Sequence, residues 1–287
     1  MDYASPHSVR EAVDLLNEAG GSARPMAGGT DVLVQLRANA LPDVNLLVDM
    51  KNIPELNEMT MDPEVGLTLG AAVPCYKIYG NKAIEHAFPG LIDCASLIGG
   101  TQIQGRASLG GNLCNAAPSG DSIPVMIALG GVARISGPSG DREVPLEDFC
   151  TGVRRTVIQQ GEILVSLHFP APVANQGANY MRFIPRNEMD IAVAGVGCSV
   201  VLDNGNIKSA RVALSSVAPT PLYVKEIGDA IAGKPANEET LKLAGQMAKD
   251  AAKPITDMRG TIEYRKHLCD VLTRRSLQIA IDRAKES

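Results

Sequence analysis

The glycines constrain this chain more than any other residue type. Two adjacent pairs, Gly28-Gly29 and Gly110-Gly111, lie far apart in the sequence, each close to a hydroxyl-bearing side chain, Thr30 in one case and Ser108 in the other. Glycine lets a backbone approach a ligand closely, and the first amides of a helix have no partner of their own. A glycine pair leading into a helix is therefore suited to an anion such as a pyrophosphate. Around the second pair the glycines continue, with Gly99, Gly100, Gly105, Gly110, Gly111 and Gly120 all falling between Gly99 and Asp121. They are too many for a helix or a central strand, and their neighbours are too apolar for a linker, so a functional loop is expected there.

The first pair sits in a small α/β pattern. Ser8 precedes Glu11 by three residues, as in a capping box, and Val9, Ala12, Val13, Leu16 and Ala19 follow at helical spacing until Gly20 and Gly21 end the helix. A strand over Ala23–Ala27 then enters the loop Ala27-Gly28-Gly29-Thr30-Asp31, followed by a helix over Val32–Ala38 and a strand over Asn45–Met50. Thr30 can donate a hydroxyl. Asp31 would repel a phosphate if turned inward, so it is expected to cap the helix or to accept from a ribose or amide. The second loop, Ser108-Leu109-Gly110-Gly111-Asn112, repeats the combination of hydroxyl, glycines and a polar side chain, and Pro118 and Asp121 follow it. Two such loops suit a long two-part cofactor, which needs one cradle for its diphosphate and further contacts for its two ends.

Elsewhere the pattern predicts strands at Val65–Ala71, Val132–Ile135 and Ile163–Phe169 and a helix near Leu91–Ile98, with Pro170 and Pro172 marking a boundary. Tyr180–Phe183, Ala192–Leu202 and Ile207–Val217 predict an antiparallel meander with a hairpin turn at Asp203-Asn204-Gly205. Leu222–Ala232, Glu238–Ala252 and Thr261–Ala284 predict closing helices, giving an α+β chain.

At 287 residues the chain exceeds the usual size of one core, and its 45% apolar and 21% charged residues are ordinary for a globular protein. No stretch is long and apolar enough to cross a bilayer, and Met1 to Pro6 lack the basic start and apolar run of an export signal, so cytoplasmic residence is expected. A net charge of -5 argues against general attraction to nucleic acid or anionic lipid. The 6 cysteines form no C-x-x-C pair and the 4 histidines are dispersed, so neither a disulfide framework nor a metal cluster is expected, and any redox centre should be organic.

Two nucleotide signatures fail. Gly195 and Gly197 open a G-x-G, but Val200 holds the third glycine position and the surroundings alternate like a strand. Gly228, Gly233 and Lys234 have P-loop spacing, yet Pro235 replaces the magnesium-binding hydroxyl, so a helix end followed by a turn is the better reading.

The phrases PMAGGTDVLVQLR, IGGTQIQGRASLGGNLCNAAPSGDS and GEILVSLHFP resemble the flavoprotein subunit of the xanthine dehydrogenase and carbon monoxide dehydrogenase family, the molybdenum hydroxylases, over nearly the whole chain. The resemblance implies a p-cresol methylhydroxylase-type FAD fold of two subdomains, 1–55 and 56–172, and a C-terminal flavoprotein domain of antiparallel sheet plus helices, 173–287. It implies that Ala27, Gly28, Gly29, Thr30 and Asp31, with Ser108, Leu109, Gly110, Gly111 and Asn112, hold the FAD diphosphate and ribityl chain, with Pro25, Met26 and Val32 alongside. Asp121 would bind the adenosine-side ribose, Ile98 and Leu164 would pack against the cofactor, Arg182 would lie near the flavin's polar edge and Ile191 beside its ring. From the residues alone, Ile98, Leu164 and Ile191 could equally be core, Asp121 the cap of a helix starting near Ile123, and Arg182 a surface cation. Thr30 stands where some related flavoproteins carry a histidine, so the FAD is expected to be non-covalent. Gln104, Gly105 and Ala107 depart from the arginine, asparagine and glycine frequent in the family.

The implied function is an electron-relaying oxidoreductase subunit without catalytic residues of its own. A molybdenum-cofactor large subunit would hydroxylate substrate, an iron-sulfur small subunit would pass the electrons, and this chain's FAD would hand them to an external acceptor. Rival readings are a self-sufficient flavin oxidase or reductase of the same fold, and a flavin-free interaction module.

Overall fold

The computed structural model describes residues 1–287. The chain begins with a parallel three-stranded sheet, β1 (Asp2–Ala4), β2 (Ala23–Met26) and β3 (Leu46–Asp49), in the order β1-β3-β2. Helix α1 (Val9–Ala19) crosses from β1 to β2 and buries Ala12, Val13 and Leu16. Ser8 caps it by accepting from the Glu11 amide, but the Glu11 carboxylate takes the His7 amide, one residue earlier than a capping box requires. Helix α2 (Val32–Arg37) follows the first glycine pair.

The middle region carries an antiparallel sheet of β4 (Met59–Asp62), β5 (Gly66–Gly70), β6 (Val132–Gly137), β7 (Gly140–Pro145) and β10 (Ile163–Pro170), in the order β4-β5-β10-β6-β7. Between β5 and β6 run six short helices: α3 (Cys75–Tyr79), α4 (Lys82–Ala87), α5 (Pro89–Ala95), α6 (Thr101–Gln104), α7 (Leu109–Asn115) and α8 (Ile123–Ala128). Helix α9 (Leu146–Phe149) and a two-stranded hairpin, β8 (Cys150–Gly152) and β9 (Arg155–Thr156), lead back to β10.

The glycine-rich stretch therefore does not form the single loop that its composition predicts, because α6 and α7 lie within it. The reason is tertiary. A Cβ at Gly110 would stand 2.7 Å from the Cα and Cβ of Ala71 and nearer still to its carbonyl oxygen, so the glycine is there to let a helix lie against β5's exit.

The last region is the expected meander, β11 (Gln176–Phe183), β12 (Ala194–Asp203), β13 (Asn206–Ser215) and β14 (Leu222–Tyr223), with Asn204 and Gly205 at positive φ in the β12–β13 turn. The helix expected from Leu222 starts only at Lys225, because Leu222 and Tyr223 pair with Leu214 and Ala213. Helices α10 (Lys225–Ile231), α11 (Glu238–Ala251) and α12 (Ile262–Glu286) complete this region, α12 burying Leu268, Leu272, Leu277, Ala280, Ile281 and Ala284 along one face. The other face of the sheet receives α8. A Cβ at Gly197 would lie 2.6 Å from the Val125 Cα, which explains the G-x-G of β12 as a packing groove.

Three apolar cores result, and two cross regions: Ala12, Val13, Leu16, Val48 and Met50 pack with Ile163 and Val165 of β10, and the largest core joins middle-region residues such as Leu91 and Val125 to Ala178, Tyr180 and Ala213 of the last region. No helix is long and apolar enough to cross a membrane.

Candidate functional site

The two glycine pairs, remote in sequence, meet across one cavity of about 440 Å³ between the parallel sheet and the middle region. Gly28, Gly29, Gly110 and Gly111 all line it. The two loops also touch: a Cβ at Gly28 would come within 2.6 Å of the Arg106 carbonyl carbon, and the Arg106 Nε donates to the Gly28 carbonyl at 3.4 Å.

The parallel strand β2 delivers the first loop, and α2 carries it away. The amides of Gly28, Gly29, Thr30 and Asp31 donate to no acceptor within the chain. In the second loop Ser108 caps α7 by accepting from the Gly111 amide at 3.0 Å, leaving the Leu109 and Gly110 amides without an intramolecular acceptor. Unshielded amides on two facing walls form a donor-rich cradle for an anionic group. A Cβ at Gly111 would meet only the Ser108 Oγ, at 3.0 Å, so this glycine keeps the wall low where a ligand would pass.

Of the residues singled out in the sequence, Pro25, Ala27, Gly28, Gly29, Thr30, Asp31, Val32, Ile98, Ser108, Gly110, Gly111, Asn112 and Leu164 line the cavity. Met26 and Leu109 do not, since both turn into the interior beside it. Ile191 also stands apart, 48% exposed after the Asn187–Asp190 turn.

Asp121 and Arg182 lie outside the lining and are occupied with each other. Arg182 Nη1 donates to Asp121 Oδ2 at 2.5 Å and the Tyr180 hydroxyl to Asp121 Oδ1 at 2.7 Å, with both ion-pair side chains nearly buried. Arg182 is thus no surface cation. Asp121 does not cap α8 either, because Ser122 holds that position and its Oγ donates to Asn112 Oδ1 at 2.8 Å. Burial pushes the Asp121 carboxyl above its usual range, with Arg182 and Tyr180 pulling it back. Asp31 makes no capping bond. The cavity walls push its carboxyl up, against a lowering by Arg154.

Sequence reasoning missed the far wall. Gly20, Gly21 and Arg24 line it together with Thr156 of β9 and with Ile158, Gln159, Gln160 and Glu162, which follow the β8–β9 hairpin. Glu162 is held by Arg142 through Nε at 2.8 Å and Nη2 at 2.6 Å, which keeps its carboxyl below the usual range. Cys114 also lines the cavity, and burial pushes its thiol up to about 12. No short-range pattern marks these residues, since a turn and a strand end acquire a role only when folding brings them beside the glycines.

This geometry can be set against known proteins. Residues 1–172 match the model of the FAD binding domain in molybdopterin dehydrogenase, and residues 179–280 match the CO dehydrogenase flavoprotein C-terminal domain. The chain belongs to the FAD-binding subunits of the molybdenum hydroxylase family. This medium subunit is 32% identical to the xanthine dehydrogenase FAD-binding subunit of Escherichia coli O157:H7, covering 98% of this chain and 97% of that one. It is 31% identical to the carbon monoxide dehydrogenase medium chain of Afipia carboxidovorans, covering 99% and 98%. Among solved structures, the reconstituted CO dehydrogenase from Oligotropha carboxidovorans superposes with a TM-score of 0.93 at 30% identity, over 99% of this chain and 98% of that one. As a molybdenum hydroxylase medium subunit the chain is an oxidoreductase component, and its mixed fold, an FAD-binding region followed by an antiparallel sheet with helices, is that of the family.

Proposed function

We propose that this chain accepts electrons on a non-covalent FAD from the iron-sulfur clusters of a small partner subunit and passes them to an external acceptor, while a molybdenum-cofactor large subunit hydroxylates substrate. The observation that carries the reading is the convergence of two glycine loops, with their unshared amides, on one cavity. Bound there, FAD would supply reversible electron storage, and the chain's own task is to hold and orient it. The Gly28–Asp31 amides and the start of α7 would take the diphosphate, Ile98 and Leu164 would flank the cofactor, and the 156–163 wall would close the cavity's remaining side.

In this division of labour residues 1–55 and 56–172 form the two halves of the FAD clamp, and 173–287 holds α8, and through Tyr180 and Arg182 the Asp121 loop, from outside. Cytoplasmic residence completes the proposal. A similar structure described as a Cu,Mo-CO dehydrogenase supports a molybdenum-bearing partner.

The test is native purification with the co-purifying subunits. One FAD per chain is expected, together with flavin bleaching when the holoenzyme receives its substrate anaerobically. A colourless chain, or partners that reduce the acceptor equally fast without this chain, would sink the proposal. Substrate turnover by the isolated chain would instead establish the self-sufficient flavoenzyme.

A further inference from the structure

One side-chain hydrogen bond ties the two helices that leave the glycine loops. Gln35, one turn into α2, and Asn115, the last residue of α7, both line the cavity, and Gln35 Nε2 donates to Asn115 Oδ1 at 3.0 Å. The turn beneath Gln35 is fixed by its own amide, which donates to the Asp31 carbonyl at 2.9 Å. An amide side chain carries both an acceptor oxygen and a donor nitrogen, and this bond uses only one group of each partner. Gln35 Oε1 is left as a free acceptor and Asn115 Nδ2 as a free donor, and neither atom is sealed inside the protein. Turning both amides over reverses the bond between them and still leaves one donor beside one acceptor.

Gln35 is only 9% exposed, so its open oxygen is reached from the cavity that the residue lines. A buried amide with an open carbonyl has given up hydration, and only a ligand can return the bond. Asn112 differs, because its Oδ1 already takes the Ser122 hydroxyl at 2.8 Å. A donor beside an acceptor complements a planar edge that carries one of each, and adenine has such an edge in its 6-amino group and a neighbouring ring nitrogen. Val32, one turn before Gln35, and Cys114 line the same cavity and offer apolar surface to the faces of a base. The flavin ring also has a donor–acceptor edge, but it is expected beside the Arg182–Ile191 segment, where Met189 Sδ would lie 3.2 Å from a Cβ at Gly100. Asn115 leads instead to Ala116, whose carbonyl takes the Arg154 amide of the β8–β9 turn at 3.0 Å.

We infer that the Gln35–Asn115 pair reads the edge of the adenine base and so sets the preference of the cavity for FAD over flavins that lack this base. Resting on the FAD reading above, the assignment adds which end of the cofactor lies at the close of α7 and which side chains recognise it.

The test uses the full chain freed of flavin, with equilibrium dialysis against FAD, FMN and an FAD analogue whose adenine lacks the 6-amino group. Wild type should bind FAD about tenfold more tightly than the deaminated analogue, as expected when one buried acceptor loses its partner. Gln35→Met keeps the side-chain length and removes both the acceptor and the bond to Asn115. FAD affinity should then fall by about tenfold while the analogue and FMN change by about twofold or less, so that the preference disappears. The wild-type comparison of FAD with the analogue stands without any variant. Equal wild-type affinities for the two would overturn the inference and leave FAD binding itself intact. Equal losses of FAD and FMN in Gln35→Met would also overturn it, since a pair that merely spaces the loops, or reads the flavin ring, acts on both ligands alike. Wild type that bound no FAD would bring down the FAD reading and this assignment together.

Discussion

Replacing Gly110 by alanine should separate a glycine needed for packing from a glycine that is merely tolerated. The new Cβ would lie 2.7 Å from the Ala71 Cα and Cβ and closer to its carbonyl oxygen, and the obstacle is backbone that no rotamer change can move. Reaching an ordinary 3.4 Å contact with that oxygen requires α7 and the β5 exit to part by about 1 Å. Such overpacking costs about 1–3 kcal/mol, and at roughly 2–4 °C per kcal/mol for a chain of this size the melting temperature should fall by roughly 2–12 °C. Because Ala71, Gly110, Gly111 and Asn112 all line the cavity, the same displacement should weaken FAD binding by about tenfold, or 1.4 kcal/mol, and shrink the thermal shift that added FAD produces. Gly105→Ala is the internal control, since that position has φ -64° and its nearest neighbour to a new Cβ is 4.0 Å away. It should be neutral or slightly stabilising, as alanine is the better helix residue. Differential scanning fluorimetry with and without FAD, together with flavin content by absorbance, reads both variants. Wild-type melting and flavin occupancy in Gly110→Ala would refute the reasoning.

Asp121→Ala leaves the buried Arg182 cation without its counter-charge and should lower stability by about 3–5 kcal/mol in urea unfolding; a loss below 1 kcal/mol would show the pair to be dispensable. Because Arg142 hydrogen bonds hold the Glu162 carboxyl below its ordinary 4.5, the stabilisation is complete above that value and is lost as pH falls through the lower folded value. Glu162→Gln should therefore flatten the acid limb of a stability-pH profile, and an unchanged limb would contradict the clamp. Cys114, with its thiol pushed up to about 12, should resist iodoacetamide at pH 8 in the native protein and react on unfolding, with peptide mass spectrometry as the readout.

Where the controlling interactions are local, the sequence was readable. Ser8 and the apolar spacing behind it announce α1, and Asp203-Asn204-Gly205 announces the β12–β13 hairpin, because a side-chain cap and a positive φ are decided within a few residues. Where distant backbone intervenes, it was not. Gly110 and Gly111 suggested a loop, and only the approach of Ala71 explains why a helix forms through them. Leu222 and Tyr223 fit a helical pattern, yet their pairing with β13 wins. In the site, both glycine loops could be found from their composition, whereas the Gln159–Glu162 part of the wall could not. The Asp121–Arg182 pair joins residues on separate regions, and nothing near either of them signals the other.

The sharing of one apolar core between α1, β3 and the start of β10 has a consequence for synthesis. Until the ribosome has released Ile163 and Val165, the N-terminal helix and sheet lack the side chains that seal their underside. A nascent chain halted earlier would present Leu16, Val48 and Met50 to chaperones, and the cofactor would find no completed clamp to enter. Acquisition of the prosthetic group thus belongs late in the life of the nascent polypeptide, and truncation libraries should show flavin retention appearing abruptly once this strand is included.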